Sequence, residues 1–420
     1  VKTMIDLPEQ IRTLKVTAFG EHAGVLTHEG HYGFVYTDKN AVSLTMKYRA
    51  APFNSGALHP VFAQNLPEGY VRRYISERLR RYAQVNDMYL LALQFDKGVG
   101  HLGYHSDIEK PNGNQLSLSE VLSWKGSESL FQELLEWFYL NGLVSGVQPK
   151  VLIHANMDIP DKAPSGRGLY TQNEFIVKTF DEEFPLLTVN EYVCMEAARA
   201  CGLEPANCYL SDDLKIFITE RFDIAGDAEG KNAGKSAGNN KLAVEDFTVL
   251  MGKSSDEKYS SSYESLMKAV GAYTGTYADL ERAYRYIAFN CLIGNGDAHL
   301  KNFAVQYERS KDSITLTPPY DITHTLIYPT IDDKMALKLA KARTFPDKHE
   351  LVKLGNAFEI RQPEKIVESF ADRILDSVRD SSVISEFKGL ADSIGRSVSQ
   401  GATSQTQRPA YRYDRRKKYT

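Results

Sequence analysis

The sequence predicts an α+β fold in which a strand-rich beginning gives way to a helical C-terminal half. Three observations predict it. Short β-branched and aromatic runs broken by Gly and Asn fill the first sixty residues or so, strand-like runs return between 149 and 220, and from 244 onward apolar residues recur at helical spacing almost to the end. Composition agrees with a folded chain. Its 420 residues are 42% hydrophobic and 25% charged, which excludes a mostly disordered, collagen-like or coiled-coil protein. At roughly 150 residues per domain, that length predicts two to three domains.

In chain order, Leu14–Ala18, Tyr32–Thr37 and Val42–Met46 read as strands. Pro67 then opens a helical stretch whose Val71, Tyr74, Ile75, Leu79 and Tyr82 form one apolar stripe. A second amphipathic stretch runs from Leu130 to Leu143. Strands are expected at Pro149–His154, Asn173–Lys178 and Leu214–Glu220, with a helix from Thr188 to Gly202 between the last two. The segment Ile224–Asn240, rich in Gly, Ala, Asn and Lys, has no apolar period and reads as a loop or insertion. Helices are expected at Val244–Met251, Tyr263–Tyr273, Tyr277–Leu292, Glu364–Asp380 and Ser385–Ser397, interrupted by a two-strand signal at Asn302–Gln306 and Ser313–Thr317. The expected division is an N-terminal subdomain over 1–140, a strand-rich nucleotide-binding lobe over 141–223 and a helical catalytic lobe over 224–420.

Charge narrows the function classes. The formal charge of −4, from 50 basic and 54 acidic residues, argues against a nucleic-acid footprint over the whole molecule. The segment Arg408–Thr420 is the exception, with six basic residues against the single Asp414. Cys194, Cys201, Cys208 and Cys291 form no CxxC pair and read as reduced thiols. With no apolar run of 18 residues and no leader pattern, a cytoplasmic, soluble protein is expected.

The strongest chemical signal is GNGDAHLKNF, Gly294 to Phe303, which packs Asp297, His299, Lys301 and Asn302 into one loop. Asp297 and Asn302 are five apart, the separation of base and metal-binding Asn in the kinase loop HRDxxxxN. An Asp there orients an acceptor hydroxyl while the Asn turns back toward a metal ion, and Lys301 could neutralise phosphoryl charge. Asp321, 24 residues further on, follows the two-strand signal and supplies the carboxylate that a Mg²⁺ ion would need. SGVQPK, Ser145 to Lys150, is neither a Walker loop nor a three-glycine kinase loop, yet a Ser-Gly turn before a strand can aim backbone N–H groups at phosphate. Lys178 ends an apolar strand, where a buried ammonium requires a carboxylate partner. Glu191 and Glu196 are both on the next helix; a helical wheel turns Glu196 nearer the apolar face and Glu191 away, and the choice stays open. Glu220, Arg221 and Phe222 stand at a strand exit where a hinge would offer backbone groups to an adenine edge.

Taken together, FAQNLPEG at Phe62, SGVQPK at Ser145, FIVK ending at Lys178, NEYVCM at Asn190, ERFD at Glu220, EDF at Glu245, GDAHLKNF at Gly296 and PPYD ending at Asp321 resemble the HipA family of bacterial serine/threonine kinase toxins. The resemblance implies a bilobal protein-kinase-like fold with a strand-rich N-terminal subdomain. It implies ATP- and Mg²⁺-dependent phosphorylation of a protein Ser or Thr, with aminoacyl-tRNA synthetases as family targets, and a helix-turn-helix antitoxin with which the kinase binds operator DNA. Carried over by motif, Asp297 is the catalytic Asp, Asn302 and Asp321 the metal ligands, and Lys178 the ATP-phosphate lysine. Ser145, Gly146, Val147, Gln148, Pro149 and Lys150 become the phosphate loop, His299 and Lys301 active-site neighbours, and NEY favours Glu191. Family members silence themselves by autophosphorylating a serine in or just before that loop; here Leu143 occupies the first such position, so Ser145 is the expected site. Two readings compete: a degenerate kinase fold that only co-represses, and a metal-dependent phosphohydrolase built on Asp297, His299 and Asp321.

Overall fold

The computed structural model describes residues 8–108, 150–156, 172–179, 184–224 and 241–403, together with Leu122. The expected helix Leu130–Leu143, the loop residues Ser145 to Pro149, most of Ile224–Asn240 and the basic terminus lie outside the described residues.

The N-terminal unit comprises β1 (Thr13–Ala18), β2 (Glu21–His28), β3 (Tyr32–Tyr36), β4 (Phe53–Ser55), α1 (Pro60–Ala63), α2 (Gly69–Leu79), α3 (Asp87–Ala92) and β5 (Leu102–His105). Its strands form one antiparallel sheet in the order β4-β3-β2-β1-β5. Period-two burial drives it: Leu14, Val16 and Ala18 are fully buried while Thr13 and Lys15 face solvent. The sequence pattern missed β2 because Gly24 interrupts it. A Cβ there would stand 2.3 Å from the Val35 carbonyl oxygen, so only glycine lets β3 approach.

Val42–Met46 is not a strand, a correction with a clear cause. Its polar backbone is taken up by side chains instead of a neighbouring strand: Val42 N–H donates to the Tyr36 hydroxyl at 3.1 Å, Thr45 N–H to Ser43 Oγ at 2.9 Å, and Leu44 N–H to Glu245 at 2.8 Å.

The next unit holds β6 (Lys150–Asn156), β7 (Gln172–Thr179), α4 (Leu187–Ala200), β8 (Cys208–Leu210) and β9 (Ile216–Glu220). Its antiparallel sheet has the order β6-β7-β9-β8. The third unit runs through β10 (Ala243–Asp246), α5 (Phe247–Leu250), α6 (Tyr263–Thr274), α7 (Tyr277–Ile293), β11 (Ala304–Tyr307), β12 (Ile314–Leu316), α8 (Lys348–Ala357), α9 (Pro363–Asp380) and α10 (Leu390–Ala402).

Two expectations here need correction, and one helix was not expected at all. Val244 to Asp246 join β11 as a strand, giving a three-stranded sheet β10-β11-β12, and the helix begins only at Phe247, where the Asp246 carboxylate accepts the Thr248 and Val249 N–H groups at 2.8 and 3.1 Å. Helix α8 was missed although Asp347 and Glu350 form a capping box at its start. The last helix starts at Leu390, after Gly389 takes a φ of 87°, with a single 3₁₀ turn at Ile384–Glu386 before it.

One continuous hydrophobic core runs through all three units. Cys194, Cys201 and Cys291 are buried in it as free thiols, Cys208 is half-buried, and burial pushes the Cys201 and Cys208 thiols up to about 12. Among the described residues, no helix is long and apolar enough to cross a membrane.

Candidate active site

Strand β7 carries Lys178 inward, and its side chain is only 4% exposed. The ammonium donates to Glu191 on α4 and to Asp321, so one buried cation lies between two carboxylates. Burial alone would lower the lysine's pKa, but the charges of Asp321 and Glu191 outweigh it and the net shift is upward. Glu196, which the wheel turned inward, is instead at the surface and paired with Arg199 at 2.5 Å. Asn190 ties this helix to the Asp321 segment: its side-chain amide accepts from His324 N–H at 2.8 Å and donates to His324 C=O at 2.9 Å.

The loop after α7 needs its glycines. Gly294 ends the helix with a φ of 79°, and a Cβ there would meet Ser397 Oγ at 2.7 Å and His324 Nδ1 at 2.8 Å. At Gly296 a Cβ would stand 2.7 Å from Thr325 Oγ1, the atom that accepts the Gly296 N–H. Beyond them the chain folds back on itself, and Asn302 Nδ2 donates to the Asp297 carbonyl at 3.2 Å. That bond occupies the nitrogen of the Asn302 side chain and leaves its oxygen as the atom with cation-binding chemistry.

The two loops are held together. Tyr320 OH donates to the Lys301 carbonyl at 2.8 Å, and Tyr286 OH to the Tyr320 carbonyl at 2.8 Å. Asp321 itself adopts a left-handed φ of 55°, a conformation that costs a non-glycine residue energy and concentrates at functional positions. Its side chain is 26% exposed, the open side of the triad. His299 is buried and lies edge-on to Tyr259, and burial holds its pKa below the ordinary imidazole value.

Sequence reasoning missed the segment that cradles this loop. Tyr259 OH donates to Asp297 Oδ1 at 3.0 Å, Tyr263 OH to the Ala298 carbonyl at 3.3 Å, and Leu300 N–H to the Lys258 carbonyl at 3.2 Å. Glu68, from the N-terminal unit, accepts from Lys301 at 2.5 Å and from Lys258 at 3.4 Å. The FAQNLPEG pattern contained that glutamate without any local sign of its partner.

The hinge residues divide. Arg221 turns its guanidinium away into a buried cluster with Asp223 and Glu174, and Glu220 and Arg221 N–H groups are bonded to the Asn207 and Glu174 carbonyls at 2.9 Å each. Their backbone donors are therefore committed to the sheet. Phe222 stacks on Tyr320, with ring centroids 5.6 Å apart, beside Asp321. Lys150 opens β6 directly across the ladder from Lys178, while Ser145, Gly146, Val147, Gln148 and Pro149 lie outside the described residues. Glu245 of EDF is a joint: it accepts from Ser43 at 2.5 Å, from Leu44 N–H and from Tyr307 OH.

A sheet whose buried lysine pairs with a helix glutamate, joined to a helical lobe with an Asp/Asn loop and a second carboxylate, defines an α+β, bilobal protein-kinase-like fold. The chain belongs to the HipA family. The HipA N-terminal domain matches residues 14–105 and the HipA-like C-terminal domain residues 142–381. Among its relatives, two Sinorhizobium fredii proteins carry kinase names. Y4mE is 28% identical, covering 80% of this chain and 83% of its own, and Y4dM is 24% identical, covering 88% and 91%. The serine/threonine-protein kinase toxin HipA of Shewanella oneidensis is 24% identical over 47% of this chain and 46% of its own. A solved chain from the Shewanella oneidensis complex of HipA, HipB and operator DNA superposes with a TM-score of 0.64 at 18% identity, covering 93% of this chain and 96% of that one.

Proposed function

We propose that this chain is a serine/threonine-protein kinase toxin of a toxin–antitoxin module, transferring the ATP γ-phosphoryl group to a Ser or Thr of a protein. The observation that carries the reading is the Lys178 ammonium held between Glu191 and Asp321. A lysine so placed is fixed, charged and aimed where polyphosphate charge would be received.

The residues fit ATP with Mg²⁺. Lys178 would hold the α- and β-phosphates, and Asp321 with the Asn302 side-chain oxygen offers the hard oxygen donors that the cation takes. Among the described residues no group of three or more His, Cys, Asp or Glu side chains could hold a metal, so these two donors would work alongside phosphate oxygens. The bound cation supplies charge neutralisation of the phosphates. Asp297 orients the acceptor hydroxyl and takes its proton, the hydroxyl oxygen bonds to the γ-phosphorus, and ADP leaves. Transfer then rests on positioning and charge, with no covalent enzyme intermediate.

The Shewanella oneidensis complex of HipA with HipB and operator DNA supports an antitoxin partner and operator DNA for this chain; an aminoacyl-tRNA synthetase as target, a helix-turn-helix fold of the antitoxin and self-silencing at Ser145 are carried over from the motif resemblance. Incubating the purified chain with labelled ATP, Mg²⁺ and cell lysate tests the activity, with Asp297→Gln as control. Label entering a lysate protein only with the wild type is expected. Release of free phosphate without protein label would favour hydrolysis, and nucleotide binding with no turnover would favour a degenerate co-repressor. Phosphopeptide mapping of the chain itself should find Ser145, and label found only elsewhere would overturn that assignment.

A further inference from the structure

Glu68 stands between α1 and α2 in the N-terminal unit, just before Gly69, which takes a φ of 54°. Its carboxylate reaches out of its own unit to Lys301 at 2.5 Å and Lys258 at 3.4 Å. All three side chains are largely buried, with 20% of Glu68, 11% of Lys301 and 10% of Lys258 exposed. Burial works against ionisation of Glu68, yet the charges of Lys301 and then Lys258 bring its pKa down to about 2, so its carboxylate is ionised at neutral pH.

Lys301 falls between Asp297 and Asn302, and it is held at both ends. Glu68 holds its ammonium, while Tyr320, the neighbour of Asp321, holds its carbonyl at 2.8 Å. Lys258 meets the same loop through its carbonyl, which accepts Leu300 N–H. The bridge is not needed simply to join the units. Glu245 already binds Ser43 and Leu44, and Arg221 and Lys241 already bind the carbonyls of residues 96–98.

We propose that Glu68 is a positioning residue for phosphoryl transfer, a strut by which the N-terminal unit fixes the loop 297–302 so that Asp297 and Asn302 are correctly spaced. The proposal rests on the kinase reading above. It makes the N-terminal unit part of the active site. A displacement of about 1 Å in a catalytic group can cost about a hundredfold in rate, so the effect should be on turnover.

The test compares the full-length wild type with Glu68→Gln, Glu68→Asp and Glu68→Ala. Two readouts are taken: initial rates of label transfer from ATP into lysate protein over a range of ATP concentrations, and amide hydrogen exchange across residues 294–304. Expected for Glu68→Gln is an apparent kcat lowered about ten- to a hundredfold, an apparent KM for ATP within about twofold, and faster exchange confined to the loop. Glu68→Asp should recover part of both. Wild-type turnover in Glu68→Gln and Glu68→Ala, or a rise in it, overturns the proposal, as does unchanged loop exchange or a loss that merely follows a lower melting temperature. If the wild type transfers no phosphoryl group at all, the kinase reading fails, and loop exchange in the same samples still decides whether Glu68 fixes the loop.

Discussion

Two buried ionic clusters lie near the junction of the lobes, and they differ in how they are closed. In the first, the Lys178 ammonium faces the carboxylates of Glu191 and Asp321, one positive charge against two negative. In the second, Arg221 and Lys241 face Asp223, Glu174 and Asp96, and main-chain groups complete the shell: the Gly98 carbonyl accepts from both cations, and Gly100 N–H donates to Asp223 at 2.7 Å. The second cluster is fastened to backbone that cannot leave. The first has its exposed edge at Asp321, 26% exposed, where the kinase reading would have a cation and a polyphosphate enter by exchange. Burial of charge is thus common to a joint and to a site, and what separates them is whether the partners are exchangeable.

The comparison can be broken most forcefully at Lys178. Replacing it with Met removes the cation proposed to receive phosphate charge, so transfer should fall about a thousandfold, the scale of losing one preorganised charge contact. Circular dichroism should show the secondary structure retained, because the buried Glu191 can take up a proton while Asp321, 26% exposed, hydrates. Transfer near the wild-type rate in Lys178→Met would end the exchangeable-site reading.

At the closed cluster the same kind of change should act on stability. Asp223 is 2% exposed and accepts from Arg221 Nε at 2.8 Å and Nη2 at 2.6 Å; its carboxyl stays below the usual carboxylate range because Arg221 and Lys241 outweigh the cost of burial. Asp223→Ala strips the buried guanidinium of its bidentate carboxylate partner and leaves it Glu174, and should cost about 3 kcal/mol in denaturant unfolding. Transfer per folded molecule should change by less than about threefold. An activity loss without a stability loss would reverse the roles assigned to the two clusters.

A smaller effect is expected where the catalytic loop is pinned by a neutral group. His324 lies under it, its ring bonded to the Ile293 carbonyl at 2.6 Å and Ser393 Oγ at 2.7 Å. Burial pulls its pKa from 6.5 to about 4 despite the opposing pull of the Ile293 carbonyl. Between those values the unfolded chain carries a proton that the folded chain refuses, so this residue makes stability fall as pH drops from 6.5 toward 4 and leaves it level above 6.5. Melting temperatures across that window should fall less steeply for His324→Asn than for the wild type. Equal slopes would remove His324 from the account.

These contrasts also show what the sequence could reveal. The need of Lys178 for a carboxylate partner was legible, and Asp297, Asn302 and Asp321 stood out as candidates, because each is a polar residue set in a local pattern that would otherwise bury or turn. The choice between Glu191 and Glu196 was not, because a wheel assumes one buried face. Helix α4 is buried over Thr188, Val189, Asn190 and Glu191 in succession at its start, and only later turns a face to solvent. Glu68 and Tyr259 were invisible for another reason: their partners are 233 and 38 residues away, and nothing local marks a glutamate or tyrosine that acts at such a distance. The strand-like reading of Val42–Met46 failed likewise on long-range bonds, to Glu245.

The smallest effect tests exchangeability at the acceptor side. Tyr259 OH, on a residue 36% exposed, donates to the same Asp297 carboxylate that an acceptor hydroxyl would use. Burial first and the Asp297 charge second raise its pKa, so the phenol remains a donor at any working pH. If that bond is exchangeable in the way proposed for Lys178 and Asp321, an incoming Ser or Thr displaces it, and Tyr259→Phe should lower the apparent KM for the protein acceptor about two- to fivefold, the worth of one net hydrogen bond. The KM for ATP should not move. If the bond instead belongs to the fixed kind, the same variant should lower kcat and leave the acceptor KM alone, so one pair of rate curves assigns Tyr259 to one side of the comparison or the other.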